Sequence, residues 1–234
     1  MEIRYIYLPN VLSSDILPER ELKHLKVLRV KEGHKLRILD GKGSVYEGIL
    51  NKNKVKELQL LKRKEPLSEI VLIQALIKPH KAEILLQKSC EIGVSKIIFV
   101  KMQRSIVPIN SFIKRKKRFE NILIDAIKQS HNLFLPELLF FDSLNKVMNI
   151  LKGYRICLYE KCNILYNFMN LDFSSDINFL IGPEGGITQE EKDLLENNNF
   201  IFSSLSSNVL RSETAAIYAL SVFNYLSRLQ FNDS

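Results

Sequence analysis

The hydrophobic pattern changes period near residue 69. Before that point apolar and polar positions alternate in short runs, Ile3–Leu8, Lys35–Leu39, Val45–Leu50 and Val55–Leu61. That is the period of half-buried strands. Asp40-Gly41-Lys42-Gly43 and Asn51-Lys52-Asn53 separate runs as tight turns, the first a hairpin signal. Between the first two runs lies Glu19–Val30, where Leu22, Leu25 and Leu28 make a short helical face. Short strands with tight turns predict a small β-barrel.

Lys62-Arg63-Lys64-Glu65-Pro66 reads as a polar linker closed by a proline. Beyond it, apolar runs alternate with helical stretches. The strands expected are Ile70–Ile77, Lys96–Val100, Leu138–Phe141, Tyr154–Tyr159, Ile177–Ile181 and Phe200–Phe202. The helices expected are Pro79–Ile92 with Gly93 as its stop, Ser111–His131, Leu144–Leu151, a short one at Ile164–Met169, one opening at Thr188, and Glu213–Leu229. Such alternation predicts an α/β fold whose mostly parallel sheet is covered on both faces. The organisation expected is therefore a β-barrel domain over 1–68 and an α/β domain over 69–234.

Composition narrows the class. Hydrophobic residues make up 46% and charged residues 26%, the balance of a soluble globular protein. No apolar run reaches the roughly 18 residues of a membrane span, and the amino terminus has no basic-then-apolar signal pattern, so a cytosolic protein is expected. Cys90, Cys157 and Cys162 lack paired spacing and the four histidines are scattered, which argues against a disulfide framework and a metal site. A net charge of +8 favours an anionic partner, with nucleic acid the commonest.

The candidate chemistry sits after Ile177–Ile181. The run ends in Gly182-Pro183-Glu184-Gly185-Gly186, and Thr188-x-x-Glu191 follows as a capping box. A bare-backbone loop at the carboxyl end of a strand is where open α/β sheets bind ligands. Neither the dinucleotide fingerprint nor the Walker pattern is present. A second stretch lies about twenty residues on, Leu205-Ser206-Ser207-Asn208-Val209-Leu210-Arg211-Ser212-Glu213-Thr214-Ala215-Ala216.

Together IGPEGGIT and LxxxVLRSETAA resemble the signature of SPOUT-class RNA methyltransferases, and within that class the RsmE family. The likeness continues at His24-Leu25-x-Val27-Leu28-Arg29, Gln87–Val94, Gln103-Arg104-Ser105 and Ala126-x-x-Gln129-Ser130. Lys128 stands where the family commonly has an acid, and Asn132 where it has an arginine. The resemblance implies an amino-terminal PUA-like barrel that binds RNA and a SPOUT domain with a carboxyl-terminal trefoil knot. It implies transfer of a methyl group from S-adenosylmethionine to N3 of a uracil in 16S ribosomal RNA, in the small subunit, by a homodimer. The donor would be held by Tyr159, Glu160, Gly182, Pro183, Gly185, Gly186, Leu205, Asn208 and Leu210.

A uracil N3 carries a proton, so its methylation needs a base or a stabiliser of the imide anion. Arg211, permanently charged and forked, is the candidate stabiliser. Glu184 and Glu213 are the candidate bases, although Glu213 also suits the first turn of a helix. Arg4, Lys26, Arg29 and Arg104 are the candidate RNA contacts, with Lys23, Lys31 and Lys35 adding to the basic surface. Two other functions fit the same motifs: a SPOUT enzyme acting on a tRNA base or a ribose 2′-hydroxyl, and a non-catalytic RNA-binding assembly factor.

Overall fold

The alternating amino-terminal runs become four strands, β1 (Arg4–Tyr7), β2 (Lys35–Leu39), β3 (Ser44–Asn51) and β4 (Lys54–Arg63), with helix α1 (Glu19–Val27) between β1 and β2. A computed structural model describes residues 3–66 and 68–231 of the chain. The strand order is β1-β2-β3-β4, with β1 parallel to β2 and the other pairs antiparallel. The β2–β3 turn is closed by Asp40, whose Oδ1 accepts from the backbone N–H of Lys42 at 2.8 Å and of Ser44 at 2.9 Å. Alternate residues turn inward to a core that includes Ile6, Leu25, Leu36, Ile38, Tyr46 and Val55. Helix α1 stops at Val27, short of Val30, because Arg29 turns left-handed with φ 55°. Strand β4 runs on to Arg63, so two residues expected in the linker belong to the sheet.

The second sheet has six strands: β5 (Ile70–Ala75), β6 (Lys96–Val100), β7 (Glu137–Phe141), β8 (Tyr154–Leu158), β9 (Ile177–Ile181) and β10 (Ile201–Ser203). Their order is β10-β8-β9-β5-β6-β7 and every pairing is parallel. All five residues of β9 are buried, as a strand covered on both faces requires. The helices are α2 (Pro79–Ile92), α3 (Ile109–Ile113), α4 (Lys116–Ser130), α5 (Leu144–Met148), α6 (Gln189–Asn197) and α7 (Ser212–Phe231). Val71, Ile73, Ile98 and Leu180 face α5 and α6 in one core. On the opposite face Phe99 meets Phe112 of α3 edge to face and Phe119 of α4 at a tilt, and Phe179 meets Phe223 of α7 edge to face.

The expected Leu144–Leu151 helix stops at Met148, and two others differ more. Ser111–His131 is broken into α3 and α4, because the Arg115 N–H bonds the carbonyl of Phe112, three residues back, in a tightened turn. Both Phe112 and Phe119 reach Phe99 across that turn. The Ile164–Met169 helix does not form; Leu165 makes a parallel bridge with Ser204, and one 3₁₀ turn follows at Phe168–Asn170, started by the Asn167 side chain accepting from Met169 N–H.

The chain divides into two compact units, Met1–Pro66 with Ile124–Leu135, and Leu67–Leu123 with Pro136–Ser234. The first therefore includes the end of α4. There Lys128 pairs with Glu21 at 3.1 Å, both buried, and with the exposed Asp125 at 3.1 Å, and His131 stacks on Tyr5.

Candidate active site

Three loops at the carboxyl ends of β8, β9 and β10 surround a cavity of about 640 Å³. They are Tyr159–Glu160, Gly182–Gly186 and Ser204–Ser212, and Lys78 and Lys81 at the start of α2 add a fourth edge. The last loop leaves the edge strand β10 and lines the cavity together with the ends of β8 and β9, and hydrogen bonds to residues remote in sequence hold it there. Gln74, a polar residue inside the apolar β5, donates from Nε2 to Ser212 Oγ at 2.8 Å. Ser212 Oγ in turn donates to the Gly182 carbonyl at 2.8 Å. This relay fixes the carbonyl at the mouth of β9, although the Gln74 Oε1 itself is buried without a hydrogen-bond partner.

The glycine loop is braced from its other side. Thr188 Oγ1 accepts from Glu191 N–H, and Glu191 Oε2 accepts from Thr188 N–H at 3.1 Å, the capping box of α6. Glu191 Oε1 also accepts from the backbone of Gln103 at 2.6 Å. Arg104 Nη1 donates to the Gly185 carbonyl at 3.1 Å. A Cβ on Gly185 would lie 3.0 Å from Arg104 Cβ, and one on Gly182 would lie 2.8 Å from Ile187 Cγ1. Of the loop glycines only Gly186 is left-handed, at φ 77°, the conformation a Cβ disfavours. Close neighbours, not backbone hand, require glycine at 182 and 185.

Of the residues expected around the donor, Tyr159, Glu160, Gly182, Pro183, Gly186, Leu205, Asn208 and Leu210 line the cavity. Gly185 instead packs against Arg104. Arg211 and Glu184 also line it. Glu213 sits in the first turn of α7 with its side chain largely buried; its Oε1 is 3.5 Å from Lys81 Nζ, and its Oε2 is buried without a hydrogen-bond partner. Lys81 also bonds the Glu184 carboxylate. Arg104 belongs to this unit, whereas Arg4, Lys26 and Arg29 belong to the amino-terminal one.

Charge follows this geometry. The hydrogen bond from Lys81 holds the Glu184 carboxyl below the usual carboxylate range, and Lys78 and Arg211 add to the effect. The same bond raises Lys81, against a smaller opposing effect of burial. Burial pushes the Cys90 thiol up to about 12 and the Cys157 thiol well above its ordinary value, so neither supplies a thiolate near neutral pH. Among the described residues no three His, Cys, Asp or Glu gather as a metal site, and no helix is long and apolar enough to cross a membrane.

The sequence reading missed Lys81, Gln74 and Ser212. Lys81 is a cation at the positive end of a helix whose first turn holds no acid, an unfavourable place for it. Gln74 interrupts the apolar run VLIQALI. Both are visible irregularities; their partners are remote in sequence.

The model of the RNA methyltransferase domain matches residues 63–224, and that of the RNA methyltransferase PUA domain matches residues 17–57. Ribosomal RNA small subunit methyltransferase E of Mesomycoplasma hyopneumoniae is 28% identical over 207 residues, covering 88% of this chain and 91% of that protein. Its namesake from Rickettsia conorii is 29% identical, covering 94% of each. The crystal structure of ribosomal RNA small subunit methyltransferase E from Neisseria gonorrhoeae, bound to S-adenosyl methionine, superposes with a TM-score of 0.82 at 28% identity. It covers 96% of this chain and 98% of the other.

Proposed function

The chain belongs to the RNA methyltransferase domain family, in its RsmE branch, and from that premise we propose that it methylates N3 of a uracil in 16S ribosomal RNA, using S-adenosylmethionine. The observation that carries the reading is the convergence of Arg211 and Glu184 on the one cavity formed by the glycine loop and Leu205–Leu210. Its volume of about 640 Å³ suits a nucleoside-sized donor. The loop backbones and the Leu205 and Leu210 side chains offer the polar groups and apolar walls an adenine needs. When bound, the donor supplies a methyl carbon on a positively charged sulfur and leaves as a neutral thioether.

The chain's own residues then have two tasks. Positioning comes first, since alignment of donor and acceptor is most of what an in-line displacement requires. The second is the acceptor's proton. Glu184 faces the cavity and takes the N3 proton; Glu213, with its carboxylate turned behind Lys81, supports the arrangement from outside. Arg211 stabilises the imide charge spread over O2 and O4. Arg4, Lys26 and Arg29 of the PUA-like unit and Arg104 contact phosphates of the ribosomal RNA, and the enzyme works as a cytoplasmic homodimer on the small subunit. Mass mapping of nucleotides in ribosomal RNA from cells with and without this protein tests the reading. A 3-methyluridine in 16S RNA should vanish in its absence. Loss of a ribose or transfer-RNA methyl group instead would overturn it.

A further inference from the structure

We propose that Lys81 is the positioning residue for the acceptor end of the cavity: anchored by Glu213 of α7, it holds the Glu184 carboxylate of the glycine loop towards the nucleobase. The inference deepens the function given above and rests on Glu184 taking the N3 proton. Three observations carry it. Lys81 Nζ is the point where two carboxylates from separate elements meet, one from the loop after β9 and one from α7. The Lys81 side chain is 16% exposed and lies in the cavity wall, so its ammonium is close to whatever the cavity holds. Glu213, by contrast, has one buried oxygen without a hydrogen bond and the other near Lys81. A half-satisfied buried carboxylate is costly unless it holds a charge in place.

The arrangement works in series. Glu213 fixes Lys81, which would otherwise be repelled by the positive end of α2. Lys81 fixes Glu184, whose loop is exposed and whose carboxylate would otherwise swing into solvent. The charged groups acting on Glu184 are Lys78 and Lys81 at the start of α2 and Arg211 just before α7, and Glu213 joins them through Lys81. Among the described residues only Lys81 pairs with both acids.

The test uses K81M, K81R, E213Q and the K81M/E213Q double variant. Three quantities are read for each: donor affinity by calorimetry, single-turnover rate on small subunits from cells lacking the protein, and the titration of the Glu184 carboxyl by carbon-13 NMR. K81M should keep donor affinity within about twofold while its turnover falls by the order of a hundredfold, the cost of a misplaced group. Its Glu184 carboxyl should titrate at higher pH, because the cation favouring the charged form is gone. K81R should recover most of the rate. E213Q should slow the wild type and cost nothing more in K81M, the non-additivity expected of residues acting in series. Wild-type turnover in K81M, additive losses, an unmoved Glu184 titration, or loss of donor binding would each overturn the proposal. A wild-type protein that methylates no uracil N3 removes the function reading, and the NMR titration still decides whether Lys81 governs Glu184.

Discussion

At the scale of single residues, two positions show how a side chain, or its absence, is set by its neighbours. Gly182 is one. Its would-be Cβ falls 2.8 Å from Ile187 Cγ1, and Ile187 is buried in the core beneath the loop. Gly182→Val should push the loop out, lose donor affinity at least tenfold, and cost about 1–3 kcal/mol by overpacking. Calorimetric titration and a denaturant midpoint read the two effects; normal donor affinity would remove Gly182 from the pocket. Lys128 is the other. The structure gives it a buried partner, Glu21. Lys128→Met would strand that carboxylate and destabilise by about 3–5 kcal/mol. Adding Glu21→Gln should recover most of the loss. Burial and the Lys128 ammonium also push the nearby His24 imidazole below its ordinary 6.5. Its folded-state value is then the lower one, so the unfolded chain binds more protons as pH falls through 6.5. Stability should therefore drop as pH falls through about 6.5, and His24→Gln should flatten that drop.

At the scale of elements, the best-read parts were those whose cause is local. Ile177–Ile181 is a strand with the limits expected, since an unbroken apolar run before Gly-Pro has few other uses. Thr188 and Glu191 form the capping box their spacing implies. What could not be read is whatever a distant residue decides. The turn splitting α3 from α4 serves Phe99, and the Lys81–Glu184 and Lys81–Glu213 pairs join residues far apart in sequence. The strand order, with β10 at the edge and β9 and β5 at the centre, is likewise a tertiary outcome. Glu191 joins the local and the distant: one oxygen closes the cap and the other holds Gln103. Glu191→Ala leaves two backbone N–H groups without acceptors, each worth about 1–3 kcal/mol when buried. It should cost more than Thr188→Ala, for which about 1 kcal/mol is expected. It should also weaken donor binding, because Arg104 follows Gln103 and braces Gly185. Equal destabilisation by the two variants would mean the Gln103 contact carries no load.

At the scale of the whole molecule, charge and apolar surface remain to be accounted for. The net charge of +8 predicts salt-sensitive RNA binding. Arg29, exposed on the amino-terminal unit, should contribute about one unit to the slope of log K against log salt, lost in Arg29→Ala with donor affinity unchanged. The apolar surface concerns α7. Ala216, Ala219, Leu220 and Phe223 form its buried stripe, spaced as one helical face. A second stripe, Tyr218, Tyr225 and Leu229, is 47%, 64% and 56% exposed. A helix apolar on two sides needs cover on both, and a second copy of the chain related by a two-fold axis would supply it with the same surface. Light scattering at micromolar concentration should then give about twice the 27.1 kDa chain mass. Tyr225→Glu separates this from a monomer whose α7 merely ends its own core, because the residue is exposed in one chain and its charge spares the buried stripe. The variant should keep its helical content, fall to the monomer mass and lose methyl transfer. A wild-type mass near 27.1 kDa with full activity, or a Tyr225→Glu variant unchanged in mass, would mean that α7 completes a single chain and nothing more.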